Sequence, residues 1–493
     1  MTAAQKTADI APASFRPTEL SPDEVDAALR EYVANPVFRS ARYEELVIDD
    51  NPYRRPVRPE DLEWLRFDEP LTRATYSQLT GLLGHRMLLN IYDSHRPLLP
   101  AQMTADKWRE FDLFYGPDNM RRGEKVRPFL EYHVFDFVTR TTDELDLDNE
   151  VHGPAAVNRL LARVAAERES ATRELTTVVD ASGDGERATR MLAIQVLAGT
   201  LNAPLQISPA LVSEAVAASR QARPLSSDGG SARTGRAGRA LAELIDGYGL
   251  GGQAHEYYQF YLPSTLAAMN YLNATRHDHA KVFAFLGAMA ARTIDTVALA
   301  GGFGGGGELV AGFGGGELAA AAVAGCPVAA PNADLEQALS WLAEQVVRPI
   351  GEQYGKRALR QFARGVADYA TLLDVHRDDL TTQLRWIDAA QEHRAKGDRL
   401  QAAIDEHQIP VHLDTFVESW EECSTTHVHD DDRLVVIESG EMEFWNCFGD
   451  RHKFVPGDKF FVPKHRLHGS VVLSGVCVYH QPVITPELNE RYG

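Results

Sequence analysis

Cysteine is scarce in this chain: four among 493 residues (Cys326, Cys423, Cys447, Cys477), with no C-x-x-C pair. That is too few to staple a secreted protein of this size, and a reducing cytosol is the expected compartment. Basic residues are also in short supply, 50 Lys and Arg against 70 Asp and Glu, which leaves a net charge of -20. The field of such a chain repels nucleic acid and anionic membranes, so no nucleic acid and no membrane is expected as a partner, and a small-molecule substrate is. No run of roughly eighteen apolar residues occurs, and the first residues, MTAAQKTADIAPASF, carry no apolar stretch of the kind a secretory signal has. The expectation is a soluble, cytoplasmic, multidomain protein, because 493 residues exceed what one core holds.

What the chain does have, over most of its length, is helical periodicity. Residues 1–20 read as a disordered polar tail. Ser21-Pro22-Asp23-Glu24 then forms a capping box with proline at the first helical position. A helix is expected from about residue 22, with Val25, Leu29 and Tyr32 or Val33 on one face and Pro36 ending it. Asn51-Pro52-Tyr53-Arg54-Arg55-Pro56 is a proline-bounded loop, and helical periodicity returns over about 70–95, 105–140 and 153–178. A second helical region covers about 185–395, interrupted by the glycine-rich loop 226–238. Within it a long helix is expected near 255–299, whose Tyr257, Tyr258, Phe260 and Tyr261 read as bundle core, and another near 333–374 with Trp341, Val346 and Ile350 in helical spacing. Between them, GGFGGGGELVAGFGGGELAAAAVAG at 301–325 is followed by no Lys-Ser or Lys-Thr, which excludes a Walker loop and leaves a surface loop. After Lys396-Gly397-Asp398 the period turns to that of strands, over 411–417, 433–438, 441–447, 459–463 and 470–481. The last section is therefore an all-β domain.

Its text, THVHDDDRLVVIESGEMEFWNCFGDRHKFVPGDKFFVPKHRLH, places His427 and His429 two residues apart, where strand side chains share a face, and His468 on a later strand. Three imidazoles from neighbouring strands make a facial cap that leaves up to three positions open on an octahedral ion, room for dioxygen and a chelating substrate together. The expected occupant is one Fe(II) per chain, with dioxygen as cosubstrate. The spacings resemble the two cupin motifs, H-x-H-x(3)-E-x(6)-G and G-x(5)-P-x-G-x(2)-H, filled here by His427, His429, Gly440, Gly457, Pro463 and His468. The glutamate position holds Arg433, which cannot ligate a cation, so the set is three histidines. The glycine position before the last histidine holds His465. Three further residues are candidates for catalysis. Arg433 either pairs with a substrate carboxylate or forms a surface salt bridge with its acidic neighbours; His465 is a solvated loop residue or a proton donor; His480 lines the pocket or sits at the barrel rim.

Three stretches carry a wider resemblance: NPVFRSARYEELVIDDNPYRRPVRP at 35–59, FYGPDNMRRGEKVRP at 114–128 and EYYQFYLPSTLAAMNYL at 256–272. With the THVHD start of the metal motif and the order of domains, they make the chain similar to the three-domain N-nitrosourea-forming metalloenzyme family of streptozotocin biosynthesis. The resemblance implies a multidomain α + β fold: two α-helical domains, 21–150 for dimerisation and 151–398 as a heme-oxygenase-like bundle, then a C-terminal all-β cupin barrel at 399–493. It also implies a homodimer through the N-terminal helices. In that family the bundle holds two irons, but the aligned positions here are Leu201-Asn202-Ala203, Gly247, a deletion near Gly251-Gly252, Thr293, Pro331, Leu335 and Ala338. None binds iron well. His277-x-His279 at a helix junction diverges too far to replace them, and Asp295, Glu344, Glu352, Asp368, Asp374 and His376 are scattered without an E-x-x-H.

The implied activity is that of an Fe(II)- and O2-dependent cupin oxygenase. It would act on an N-hydroxylated small molecule such as an N-hydroxyguanidine, supplied by a separate N-hydroxylase, and form an N-nitroso or other N–N bonded product, with the central bundle non-catalytic. Two alternatives stand beside it: a three-histidine thiol-type dioxygenase, and a non-catalytic homologue that binds a ligand or a partner enzyme.

Overall fold

In the computed structural model of the chain, the residues described are 15, 17, 19–38, 62, 70–96, 99, 103–183, 185–202, 250, 257–304, 334–387, 390–420, 423–446 and 450–493. The loops expected at 51–56 and 226–238, nearly all of 301–325 and most of the tail lie outside them, as do Gly247, Gly251, Gly252 and Pro331. Helices come first and eight strands last, the α + β order expected.

The first helix, α1 (Pro22–Val33), begins where the capping box places it: the Ser21 hydroxyl accepts from the Glu24 amide, and Glu24 reaches back to the Ser21 amide. Val25, Leu29, Tyr32 and Val33 are buried. Next come α2 (Leu79–Asp93), α3 (Ala105–Phe114) and α4 (Pro117–Asp143); Gly116 and Pro117 split the single segment expected over 105–140. Then follow α5 (Pro154–Asp180) and α6 (Gly185–Asn202). The helix expected over 255–299 is three pieces. A one-turn helix at Tyr258–Phe260 precedes α7 (Pro263–His277), which starts on its proline, and α8 (Val282–Gly304) follows a turn capped by the Asp278 side chain. The four aromatic residues at 257–261 are all buried, as expected of core. After α9 (Leu335–Leu342) and one wider turn, α10 runs over Arg348–Leu384, with Gly355 at φ 71 breaking its first third. A helix, α11 (Ala390–His407), passes through residue 398, where strand periodicity had been expected to take over.

Residues His279–Gly302 are apolar enough to cross a membrane by length and composition, yet 72% of that apolar window is buried within the protein. This is the core helix of the bundle, packed against α10 and α5. A Cβ on Gly287 would collide with the Phe362 carbonyl, and one on Gly365 with the Ala284 carbonyl, so the two backbones touch where these glycines cross.

The strands are β1 (Leu413–Ser419), β2 (Cys423–His427), β3 (Asp432–Ser439), β4 (Met442–Asn446), β5 (Asp450–Phe454), β6 (Lys459–Val462), β7 (His468–Val472) and β8 (Val476–Ile484). They form two antiparallel sheets in the orders β1-β8-β3-β6 and β2-β7-β4-β5, which is the jelly-roll arrangement. Val435, Ile437, Phe460, Val462, Cys477 and Tyr479 of the first sheet meet Met442, Phe444, Phe454 and Val472 of the second in one core. On the outer face of the first sheet, α11 and a last helix, α12 (Pro486–Tyr492), bury Leu434, Phe461 and Ile484 with Leu400 and Leu488. Gly440 at φ 84 and Gly457 at φ 92 occupy the left-handed turns that the motif glycines serve.

Two outcomes test this packing. Gly287→Ala and Gly365→Ala should each cost about 1–3 kcal/mol in chemical denaturation, because backbone has to move to admit the methyl. His85, wholly buried, has its pKa pushed from 6.5 down to about 3, first by burial and then by His133. Below pH 6.5 the unfolded chain takes up a proton that native His85 refuses, so this residue's contribution to stability is present above 6.5 and is lost as pH falls toward 3. Within that window the stability of a His85→Gln variant should fall by up to ~1.4 kcal/mol per pH unit less steeply than that of the wild type.

Candidate metal centre

His427 ends β2 and lies opposite His468, the first residue of β7, in the strand register, so the two side chains share a face. His429 follows two residues later, and Val428 between them points the other way, into the core. The three rings sit with centroids 4.5, 4.7 and 4.9 Å apart, and one nitrogen from each lies within 4.8 Å of the others. Among the described residues no other group of three His, Cys, Asp or Glu side chains converges in this way.

Backbone carbonyls choose which nitrogens face inward. The Nδ1–H of His427 donates to the Thr425 carbonyl at 2.8 Å, and that of His468 to the Arg466 carbonyl at 2.7 Å. A proton held at Nδ1 leaves the Nε2 lone pair free, the tautomer a metal ligand needs. The His427 and His429 Nε2 atoms are 3.1 Å apart. Two nitrogens each about 2.1 Å from one ion would subtend roughly 95° at that separation, close to a cis angle of an octahedron. The electrostatics agree. Burial first, then the neighbouring imidazoles and Arg433, holds the His429 pKa well below the ordinary histidine value, and burial with His427 brings that of His468 down to about 3. His429 and His468 are therefore held neutral over the ordinary histidine range, so they can accept a cation without first losing protons. Phe444 stacks on His468 at 5.5 Å, and Phe460 and Phe454 close the interior behind it.

The other candidates are placed as follows. Arg433 shares the inward face of β3 with Val435 and sits opposite Val462 and Val483. Its guanidinium is taken by the carboxylates of Asp414 and Asp431 and by the Gln481 carbonyl, the salt-bridge alternative. His465 takes the left-handed conformation, φ 59, at the position where the cupin motif has glycine. Its amide donates to the His429 carbonyl at 2.8 Å, which ties the two ligand-bearing loops together, while its own ring stands outside the triad and burial lowers its pKa. His480 is a correction. It lies opposite Val436, which packs on the outer face of the first sheet, and bonds Thr415 and Glu438 there. Strand parity turns it away from the interior that Cys477 and Tyr479 face.

In the helical region, Thr293 bonds back to the Met289 carbonyl of its own helix and Ala338 is fully buried. Asp295 and His376, far apart in sequence, both line a cavity of about 100 Å³ together with Arg292, Tyr369, Thr265 and Gln195. Burial raises the Asp295 pKa to about 6 and lowers that of His376 to about 4. His277 stacks on Tyr92 at the end of α7, 5.4 Å between centroids, and is no partner for His279.

The residue that sequence reading missed is Gln383, at the end of α10. Its Nε2 donates to the His465 carbonyl at 2.7 Å and its Oε1 accepts from the Leu467 amide at 3.0 Å, on the loop leading into His468. No periodicity or spacing signals a partner more than eighty residues away.

The backbone at 465 yields a direct test. Since a non-glycine residue in the left-handed region is strained by about 1–3 kcal/mol, His465→Gly should melt at or above the wild-type temperature. His465→Val, whose branched side chain fits that region worst, should melt lower.

No protein-family model matches the sequence. The solved structure of KdgF from Halomonas sp. covers 17% of this chain and 93% of its own at 17% identity, with a TM-score of 0.12, too slight a likeness to bear on the fold. The chain is 26% identical over 484 residues to nitrosourea synthase of Streptomyces achromogenes subsp. streptozoticus, covering 94% of this chain and 96% of that one. Spread over nearly the full length of both proteins, this similarity bears out the family resemblance read from the three sequence stretches.

Proposed function

We propose that the jelly roll is a cupin holding one Fe(II) per chain through His427, His429 and His468. With dioxygen as cosubstrate, the chain would convert an N-hydroxylated small molecule, such as an N-hydroxyguanidine, into an N-nitroso or other N–N bonded product of specialised metabolism. The observation that carries this reading is the convergence of three imidazoles in a chain similar, over nearly its full length, to nitrosourea synthase. A nitrosourea has a nitroso nitrogen bonded to a urea nitrogen, so the relative's name describes N–N bond formation.

Bound iron would supply Lewis acidity and one-electron chemistry with dioxygen. The protein's part is to hold and shield. Three neutral ligands leave the full charge of the cation to be offset by an anionic or electron-rich substrate, which favours substrate binding ahead of oxygen. The Thr425 and Arg466 carbonyls keep both imidazoles in one tautomer, and the aromatic wall of Phe444, Phe454 and Phe460 limits water. Arg433, committed to Asp414 and Asp431, acts on the site through its field on His429. The helical region is proposed to be non-catalytic, with the N-hydroxyl group installed by a separate enzyme and the N-terminal helices forming a homodimer.

The test is anaerobic loading with Fe(II), followed by oxygen and an N-hydroxyguanidine. Oxygen uptake with formation of an N-nitroso product is expected, and His427→Ala should purify without iron and consume none. Absence of uptake with every N-hydroxylated candidate, or uptake only with free thiols, removes the reading.

A further inference from the structure

The loops that carry the triad are fastened to the helical region at two places. Asp430, next to His429, accepts the Leu79 amide at 2.8 Å, the first amide of α2, whose own N-cap residue, Gln78, supplies no side-chain bond. The barrel thereby caps a helix of the bundle, and the positive end of that helix favours the carboxylate. Gln383 makes the second fastening with both ends of its amide, to the His465 carbonyl and the Leu467 amide. Because a carbonyl only accepts and a backbone amide only donates, the side chain's NH2 end must face His465 and its Oε1 must face Leu467. Beside it the Trp386 indole donates to the Leu467 carbonyl at 3.2 Å. The backbone of 465–467 is thus bonded from the helical side on both sides of Arg466, whose carbonyl sets the tautomer of His468.

We infer that Gln383 is a positioning residue for the metal centre, and that the helical region serves as the frame that sets the spacing of the triad by clasping the 465–467 loop through Gln383 and the 427–430 loop through the Asp430–Leu79 bond. The inference rests on the reading of His427, His429 and His468 as a metal site. It gives the bundle a use that requires no chemistry of its own. A chain that lost the clasp would keep all three ligands but let His468 drift relative to His427 and His429. Loss of such outer hydrogen bonds weakens metal binding by about 10- to 100-fold in other proteins.

Co(II) titration of the full chain, followed by its d–d absorption and by competition with a chelator, tests this without recourse to activity. Gln383→Met, of similar volume and without either hydrogen bond, should bind Co(II) at least about tenfold more weakly and with an altered spectrum. Gln383→Glu keeps the acceptor for Leu467 but loses the donor to His465, and should fall between; it decides the matter if Gln383→Met does not fold. Tyr271→Phe removes a buried hydrogen bond to Asp368 inside the bundle and should lower Tm while leaving Co(II) affinity and spectrum as in the wild type. Wild-type affinity and spectrum in the foldable Gln383 variants would overturn the clasp while leaving the metal site standing. If the wild type itself showed no Co(II) spectrum, both the metal site and this inference would fall.

Discussion

Three imidazole lone pairs aimed at one point repel one another, and holding them there is the constraint around which the C-terminal barrel of this molecule is arranged. A set of imidazole ligands has no charge of its own to organise it. Its geometry has to come from the backbone: the register that sets His427 opposite His468, the carbonyls of Thr425 and Arg466 that fix two tautomers, and the His465–His429 bond between loops. Burial keeps His429 and His468 unprotonated over the ordinary histidine range, so both are ready for a cation.

The helical region is tied to that same geometry. Its densest crossing, where Gly287 and Gly365 bring α8 and α10 into backbone contact, makes α10 a rigid beam whose end delivers Gln383, and the turn beyond it Trp386, to the ligand loop. Of the positions where the resembled family places iron ligands, Thr293 bonds within its own helix and Ala338 is fully buried.

Features with local causes were legible in the sequence. The α1 capping box, the buried face of that helix and the motif glycines follow from residues within a few positions of one another, and the triad from two short motifs that the sequence spells out separately. Elements without a local signal were not. Strands β2 (Cys-Ser-Thr-Thr-His) and β5 (Asp-Arg-His-Lys-Phe) have no apolar alternation, because their partners and not their own side chains hold them in a sheet. The change of pattern expected after Lys396-Gly397-Asp398 falls inside helix α11; Leu400, packed below the first sheet and out of view in a one-dimensional pattern, keeps it helical. The outward turn of His480 depended on strand parity, and the meeting of Asp295 with His376 on how α8 and α10 lie side by side. Gln383 had no signal at all, since an amide that clasps a distant loop looks like any other glutamine.

The central claim is that one cation is held by three imidazoles in the barrel and none by the bundle. X-ray absorption at the iron edge of the Fe(II)-loaded full chain tests it most directly. The account predicts one iron per chain with three imidazole ligands and no iron–iron scattering; a pair of irons at bonding-shell separation among carboxylates, or iron retained undiminished after loss of His468, would contradict it.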